Sequence, residues 1–366
     1  MSLTDQIRIR TLTRSDLDQM YRLHLTREDI SDPKDAWKRT QLLEWLAFHN
    51  PYARNGEGTY YVAEVDGVIV GFEGRMPMEF AINGARRKGY YVHDTYVHPD
   101  YRKIGFWIVR ALAKAIEEQS DSFFCLMGGT PLNLMIQRRM GYLELPPAAQ
   151  YTKVLGLNRQ ISKVLKVKPL VSVVAPLAQL LLKALDVLIL SKYNTPVTSI
   201  NFFDSRFDTF MQEVLSQTGV SSYKNSSFLN WRYIHRPFPK EKVFGVEHKK
   251  KIKGFIVLTT KLSETERPVG IILDIMAASD DSETIAALCV AAIRFFREQR
   301  VDSISCLLSD KRYVRIFRRF LFRKSSAGQQ LLLGNLEKCE NEREHLTNIE
   351  HWHMTRGESD GLMLSA

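Results

Sequence analysis

Arg102, Lys103 and Gly105 lie together in the segment HPDYRKIGFW, residues 98–107, and their side-chain types suit the binding of a phosphate group. Two cations attract an anion, and a glycine lets an anion approach the backbone closely. A helix that begins here adds unpaired backbone N–H groups and the positive end of its dipole. The segment therefore predicts a pyrophosphate site, and an ordinary basic turn exposed to solvent is the alternative.

The sequence on either side of this turn predicts a strand before it and a helix after it. Residues 91–97 have the composition of a strand. Ile108, Leu112 and Ile116 recur at the spacing of one helical face. The turn therefore joins the end of a strand to the start of a helix, which is the geometry that anion binding requires.

The same order of elements occurs twice along the chain. LLEWLAFHNPY at 42–52 shares Trp, His and Pro with FLNWRYIHRPF at 228–238, and VIVGFEG in the first copy corresponds to KIKGFIV in the second. Matching strand and helix patterns follow in both copies, which close on IQRRMGY and IFRRFLF. The repetition predicts two copies of an α/β unit of about 140 residues, each a mixed sheet covered by helices. We place the first unit at 1–155 and the second at 197–340, with a connector at 156–196 and a tail at 341–366.

The connector is strongly apolar, but Pro169, Pro176, Lys183 and Asp186 interrupt it, so we expect no transmembrane span. Amphipathic helices packed between the two copies are one interpretation. Contact of residues 161–190 with an acidic membrane surface, favoured by Lys163, Lys166 and Lys168, is the other.

The composition limits the class of protein. The chain has 366 residues, enough for two cores, and a formal net charge of +10. This charge favours an acidic partner: a phosphorylated cofactor, a nucleic acid or an anionic membrane. The four cysteines have no CxxC spacing, the pair His351 and His353 has no visible third ligand, and the first residues lack the apolar core of a signal peptide. We therefore expect a cytoplasmic protein without a metal site.

The segment VHPDYRKIG resembles the acyl-CoA-binding signature of the GCN5-related N-acetyltransferases (GNAT), which follows the pattern Gln/Arg-x-x-Gly-x-Gly/Ala. Arg102 and Gly105 match its first and fourth positions. Trp107 departs from the small residue of the sixth position, so its side chain must turn away from the phosphates. IRIRTLTRSDLDQM is similar to the family's first strand and helix, and PLNLMIQRRMGY, with Asn133 and Tyr142, is similar to a later segment.

The resemblance implies a GNAT-like acyltransferase unit with acetyl-CoA or another acyl-CoA as co-substrate. It assigns Tyr96 and Val97, on the strand edge, to the pantetheine arm. It assigns the backbone of residues 104–107 to the pyrophosphate, namely Ile104, Gly105, Phe106 and Trp107. Asn133 either contacts the cofactor or caps a helix.

Acyl transfer to an amine needs a polarised carbonyl, a base and an acid. The base candidates are Glu73, His93 and Asp94, on strands expected to converge. Strand alternation places His93 and Asp94 on opposite faces. Tyr142 is the acid candidate, although its counterpart in the second copy, Phe322, favours a packing role.

The repeat distinguishes the base candidates by whether the second copy has the same residue at the equivalent position. Asp94 has a counterpart in Asp274, which favours a role in the shared architecture. His93 and Glu73 correspond to Leu273 and Ile256, so they belong only to the copy with the phosphate turn.

The second copy has DIMAASDDSE where the phosphate turn would be, and its acids, Asp280, Asp281 and Glu283, would repel a pyrophosphate. We therefore expect a degenerate GNAT-like unit. The arrangement resembles two-domain members of the superfamily, such as the FemAB-like transferases and the enhanced-intracellular-survival type. By a further likeness to tandem transferases, the tail segment MTRGESD, 354–360, is expected to approach the substrate cleft.

The function that these features favour is N-acyl transfer from acyl-CoA to a primary amine of a small acceptor, such as an amino sugar. One alternative is a FemAB-like aminoacyl transferase that uses charged tRNA. Another is a non-catalytic binding protein of the same fold. The basic stretch at 311–324 could bind RNA or acidic lipid, but its aromatic residues match a core pattern, so nucleic acid is not favoured.

Overall fold

A computed structural model describes residues 6–54, 57–156, 168–216, 219–262, 268–278 and 281–358 of the chain, and it has a mixed α/β fold. The first half contains β1 (Arg8–Thr11), α1 (Leu17–Leu25), α2 (Pro33–Phe48), β2 (Tyr60–Val65), β3 (Val68–Ile82), β4 (Ala85–Val97), α3 (Gly105–Glu118), β5 (Phe124–Met127), α4 (Pro131–Arg139) and β6 (Leu143–Val154).

The remaining elements begin with a long helix. They are α5 (Lys168–Leu190), β7 (Thr198–Ser199), α6 (Ser205–Leu215), β8 (Val220–Tyr223), α7 (Ser226–Leu229), β9 (Lys242–His248), β10 (Lys251–Leu262), β11 (Pro268–Ala277), α8 (Ser282–Glu298), β12 (Ser303–Leu308), α9 (Lys311–Arg319), β13 (Arg323–Gly334), α10 (Arg343–Thr347) and β14 (Trp352–His353). Within the described ranges, no helix is both long and apolar enough to cross a membrane.

The strands form one sheet whose order repeats in reverse. Its main path runs β1-β2-β3-β4-β5-β13-β6-β12-β11-β10-β9-β7. The strand that closes each copy lies in the other half, because β13 pairs with β5 and β6 pairs with β12. The repeat found in the sequence is therefore visible as a repeat of topology. The unit boundaries at 155, 196 and 340 stay a prediction, since this exchange joins both halves in a single sheet.

Equivalent residues of the two copies pack against each other. Trp45 and Trp231 share a position in the repeat, and their rings stack with centroids 4.4 Å apart. Both belong to the largest buried cluster, to which α1, α2 and α6 also contribute. The match of Trp45 and Trp231 in the sequence thus corresponds to one shared core.

β4 and β5 separate near their middle. The two strands are parallel and pair only at Tyr90 with Phe124 and at Tyr91 with Cys125. Beyond these pairs β4 continues to Val97 and β5 to Met127, so a cleft opens between them.

A β-bulge lies in β4 beside this cleft. Phe72 is opposite Tyr96 and Gly74 is opposite His93, so two residues of β4 face one residue of β3. One of the two, Asp94, has a left-handed φ of 52°. Bulges redirect side chains, and they are frequent next to active sites.

Candidate functional site

The cleft between β4 and β5 forms a cavity of about 510 Å³, which is in the size range of small-molecule sites. Its walls come from β4, the turn before α3, the end of β5, the start of α4, and the α1–α2 region. The residues that line it are Arg27, Asp29, Arg39, Val92, His93, Asp94, Thr95, Tyr96, Val97, Arg102, Gly105, Val109, Leu126, Met127, Gly128, Gly129, Thr130, Leu132, Asn133 and Ile136.

Most of the residues singled out from the sequence meet at this cavity. Two base candidates and five cofactor candidates line it, namely His93, Asp94, Tyr96, Val97, Arg102, Gly105 and Asn133. Lys103, Ile104, Phe106 and Trp107 lie in the adjoining turn and helix start but do not line it. Glu73 and Tyr142 lie outside its wall.

The basic turn folds as a 3-10 turn, Pro99–Ile104, that leads directly into α3. The ring of His98 accepts a hydrogen bond from the Asp100 N–H at 3.2 Å, and the Gly105 N–H donates to the Arg102 carbonyl. Trp107 is 50% exposed and does not line the cavity.

Neither the backbone conformation nor the packing at position 105 requires a glycine. Gly105 has an ordinary helical conformation with φ of −55°, and an added Cβ would meet no protein atom within 4 Å. The glycine therefore keeps space clear at the cavity wall.

On the free edge of β4, the backbone N–H and C=O of Val97 face the cleft. The His98 N–H donates to the Val70 carbonyl on β3 at 2.8 Å, and the Tyr96 carbonyl also faces β3, because it would lie 3.1 Å from a Cβ added at Gly71. Backbone groups alternate along a strand, so the N–H and C=O of Val97 face the cleft.

The corresponding cleft of the second half is closed by the protein itself. Tyr313 has the repeat position of Asn133, and its hydroxyl accepts from the Ala277 N–H at 2.8 Å and donates to the Ala277 carbonyl at 3.0 Å. Ala277 is the counterpart of Val97. The Thr355 hydroxyl donates to Asp274 at 3.0 Å. Side chains thus occupy the edge that remains accessible in the first half.

The acids of the second copy have a structural role where the chain is described. Asp281 caps α8 by accepting from the Thr284 N–H at 2.9 Å. Asp280 and the last two residues of the segment 354–360 lie outside the described residues. The described part of that segment packs beside Asp274 and does not line the cavity of the first half.

The expectation that His93 and Asp94 point to opposite faces is wrong. Both line the same cavity, because the bulge interrupts the alternation of β4. A pattern of period two does not detect such an insertion.

Asp94 is a buried carboxylate between two guanidinium groups. Its side chain is 5% exposed, and its Oδ1 lies 3.9 Å from Arg27 Nη1 and 3.7 Å from Arg39 Nη1. Burial alone would raise the pKa of Asp94, but Arg39 and Arg27 outweigh it and lower the pKa below its ordinary value. Asp94 is therefore an anion at neutral pH.

His93 is a neutral imidazole at the cavity. Burial lowers the pKa of His93 to about 4, although the charge of Asp94 opposes this shift. Its Nδ1 lies 3.5 Å from the Tyr60 hydroxyl. The ring is therefore unprotonated at neutral pH, and burial disfavours its charged form.

Glu73 does not line the cavity, but it is hydrogen-bonded to a side chain that does. The Thr95 hydroxyl donates to Glu73 Oε1 at 2.9 Å, and Asn133 Nδ2 donates to the Thr95 hydroxyl at 3.3 Å. Burial raises the pKa of Glu73 to about 8. Glu73 thus positions Thr95 and Asn133, both of which line the cavity.

The structure places Tyr142 away from the cavity, in a packed environment. A Cβ added at Gly334 would come within 2.5 Å of its ring, and burial raises the pKa of Tyr142 well above the ordinary value. This position agrees with the packing role that Phe322 suggested.

Sequence reasoning missed several residues of the site. Arg27 and Arg39 hold Asp29 between them, at 3.0 and 3.1 Å, and Arg27 stacks on Tyr96. No local spacing links these residues to β4. Thr95 was missed because the bulge that orients it has no evident sequence signal.

The start of α4 differs from expectation. Thr130 caps this helix by accepting from the Asn133 N–H at 3.3 Å, with proline at the first helical position. Asn133 is therefore not the cap, and its side chain bonds Thr95 instead. Gly128 and Gly129 have φ values of 78° and 128°, and the GGTP sequence is the signal that could have indicated this turn.

The described residues contain no group of three or more His, Cys, Asp or Glu side chains that could hold a metal ion.

Comparisons with known proteins agree with the fold. Residues 8–144 match the model of the acetyltransferase (GNAT) domain family. Among curated proteins, none matches this chain.

Solved structures share the fold over most of the chain. A GCN5-related N-acetyltransferase from Anabaena variabilis has 12% identity and a TM-score of 0.58, covering 89% of this chain and 72% of its own. One from Kribbella flavida has 13% identity and a TM-score of 0.57, covering 89% and 70%. Saccharomyces cerevisiae N-myristoyltransferase with bound myristoyl-CoA has 11% identity and a TM-score of 0.56, covering 91% and 83%. At these identities the likeness concerns the fold.

Proposed function

Because residues 8–144 match the model of the acetyltransferase (GNAT) domain family, we propose that the protein transfers an acyl group from acyl-CoA to a primary amine. The observation that carries this proposal is the cleft beside the phosphate turn, with the peptide group of Val97 facing it and a clear wall at Gly105. In the described part of the second half, Tyr313 covers the corresponding strand edge at Ala277. We therefore assign one acyl-CoA site per chain.

The acyl donor lies along β4 and the start of α3. The peptide group of Val97 pairs with the pantetheine arm, with Tyr96 beside it on the same strand. Arg102, Lys103 and the backbone of Ile104 and Phe106 hold the pyrophosphate, supported by the helix dipole, and Gly105 leaves space for it. We propose acetyl-CoA as the donor. Donors with longer acyl chains belong in the same test, because the structurally similar proteins include an enzyme with bound myristoyl-CoA.

We place the acceptor amine near Asp94 and Asp29, the two carboxylates that line the cavity. The neutral His93 ring takes one proton of the ammonium group and releases it to solvent, because the low pKa of the ring disfavours its charged form. The amine nitrogen bonds to the thioester carbon, the carbon–sulfur bond breaks, and the leaving thiolate takes the second proton of the nitrogen, so that CoA departs as the free thiol.

Glu73 is a positioning residue that acts through Thr95. Tyr142 is not assigned as the acid, because it does not reach the cavity. A small amine such as an amino sugar is the acceptor class we propose.

Calorimetric titration with acetyl-CoA and with a long-chain acyl-CoA tests the donor site. The natural chain is expected to bind at one site, and the double change Arg102→Ala with Gly105→Glu is expected to abolish binding. A side chain at position 105 begins in open space, because its Cβ would meet no protein atom within 4 Å. Lys114→Ala is the control, because Lys114 lies on the exposed side of α3, where it pairs with Glu118.

Release of free thiol in the presence of a panel of amines then tests catalysis. If the natural chain binds no acyl-CoA, the proposal fails, and the tRNA-dependent and non-catalytic alternatives take its place. A complex with charged tRNA that weakens steeply with salt would identify the first of these alternatives.

A further inference from the structure

The helix α5 turns an apolar side toward solvent and buries polar groups beside Ala175 and Leu190 on its other side. Its buried Asp186 pairs with Lys153 Nζ at 2.8 Å and with Arg297. Gln179 Nε2 donates to the Leu155 carbonyl at 2.7 Å. An ordinary surface helix turns a polar face to solvent, and α5 does not.

The outward side of α5 is an apolar face. Its members are 44 to 63% exposed and recur at helical spacing on the side opposite Gln179 and Asp186. They are Leu177, Leu180, Leu181, Leu185, Val187 and Leu188. The other large hydrophobic side chains exposed in the described chain are scattered over several elements, whereas these six adjoin one another. A contiguous apolar patch of this kind marks an interaction surface.

Basic residues lie next to the apolar face. Lys183 is exposed on α5 itself, and α5 has no acidic residue before Asp186. The C-terminal end of α9 adjoins α5, because Phe320 contacts Tyr193 with ring centroids 5.1 Å apart. Arg315, Arg318 and Arg319 of α9 are exposed. An apolar face with a basic margin is complementary to a lipid surface that carries negative charge.

We propose that the apolar face of α5 lies in the surface layer of a membrane that contains anionic lipid, with the helix parallel to the membrane plane. The helix stays attached to the protein through Asp186, so it rests on the bilayer and does not cross it. This proposal does not depend on the acyl transfer reaction.

A second copy of the chain is a less suitable occupant. A two-fold dimer places the same surface on both sides of the interface. The basic margin of one copy would then meet the basic margin of the other, whereas anionic lipid neutralises it.

Flotation of the full chain with vesicles tests the proposal. The chain is expected to bind vesicles of phosphatidylcholine mixed with phosphatidylglycerol, to bind pure phosphatidylcholine less, and to lose affinity as salt rises. The triple change Leu177→Ser, Leu181→Ser and Leu188→Ser is expected to weaken binding by at least ~10-fold, since each leucine contributes apolar area. These side chains are exposed, so the fold is retained.

Two further variants test whether vesicle binding depends on the apolar face of α5 and on basic charge. Val68→Ser with Leu262→Ser removes apolar side chains that are exposed elsewhere, and it is expected to bind vesicles like the natural chain. Arg318→Glu with Arg319→Glu is expected to weaken binding to the anionic vesicles alone.

Three results overturn the proposal: no binding of the natural chain to either vesicle, unchanged binding of the triple variant, or a lipid-independent dimer that the triple variant loses. The last result identifies a second copy as the occupant of the face. Acetyl-CoA titration of the triple variant separates this test from that of acyl transfer, because the cavity lies on other elements.

Discussion

Glu73 and Asp94 are buried carboxyl groups on opposite sides of the β4 bulge, and their surroundings differ. Asp94 lies between two guanidinium groups that lower its pKa. Glu73 has no such charge beside it, and burial raises the pKa of Glu73 to about 8. At neutral pH one carboxyl is therefore charged and the other mostly protonated. The charged one lines the cavity, while the neutral one supports Thr95 from behind.

The raised pKa of Glu73 predicts a stability that depends on pH. Below the ordinary value of 4.5 the carboxyl is protonated in both the folded and the unfolded state. As pH rises from 4.5 to about 8, the unfolded state releases the proton and the folded state keeps it, so the free energy of unfolding falls. Glu73→Gln removes this loss and is expected to gain stability relative to the natural chain across this range.

Urea unfolding at several pH values measures this difference. A difference between Glu73→Gln and the natural chain that does not change with pH would show that Glu73 ionises normally in the fold.

At the scale of elements, the bulge in β4 and the separation of β4 from β5 create the site together. The separation exposes the strand edge at Val97, and the bulge turns both His93 and Asp94 toward the cleft. Gly74 on β3 makes room for this arrangement, because an added Cβ would lie 2.8 Å from two ring atoms of His93 and 3.0 Å from Tyr60.

Gly74→Ala is therefore expected to push the His93 ring from its place. The expected cost is about 1 to 3 kcal/mol in the free energy of unfolding, as for other overpacked cores, together with a lower rate of acyl transfer. Chemical unfolding and a thiol-release assay measure the two effects.

Gly105→Ala is the matched control for stability, since its Cβ meets nothing within 4 Å and its φ suits alanine. It is expected to unfold no earlier than the natural chain. Equal stability of Gly74→Ala and Gly105→Ala would contradict the packing argument.

At the scale of the whole molecule, the halves are joined by exchanged strands and by the C-terminal segment. β13 completes the sheet beside β5, and β6 lies beside β12. Glu358 accepts from the Tyr91 hydroxyl of the first half at 2.8 Å and pairs with Lys224 of the second at 2.8 Å. Neither half contains all the partners of its own buried groups.

This connection predicts that residues 1–155 do not fold alone into a monomer that binds acyl-CoA. Without the second half, β5 loses its pairing with β13 and β6 loses its pairing with β12. The Tyr91 hydroxyl also loses its hydrogen bond to Glu358. The full chain is expected to unfold in a single cooperative transition. Circular dichroism and sedimentation of the fragment, beside the full chain, are the measurements. A folded, monomeric fragment that binds acetyl-CoA would show that the first half is independent.

The sequence by itself determined the features that depend on residues near one another in the chain. The repeat, the strand-to-helix turn at Arg102 and Gly105, and the location of His93 on a strand all follow from local spacing. Their physical basis is the periodicity of strands and helices and the free N–H groups of a helix start.

Only the tertiary structure decided the features that depend on distant residues. Arg27 and Arg39 meet Asp94 because α1 and α2 pack against β3, the neighbour of β4, and Tyr313 covers Ala277 because it lies on α9. The bulge placed His93 and Asp94 in one cavity, and the folding of α4 against β13 left Tyr142 outside it. Each of these outcomes depends on how elements pack, and the free energy of packing depends on contacts between residues that no local pattern relates.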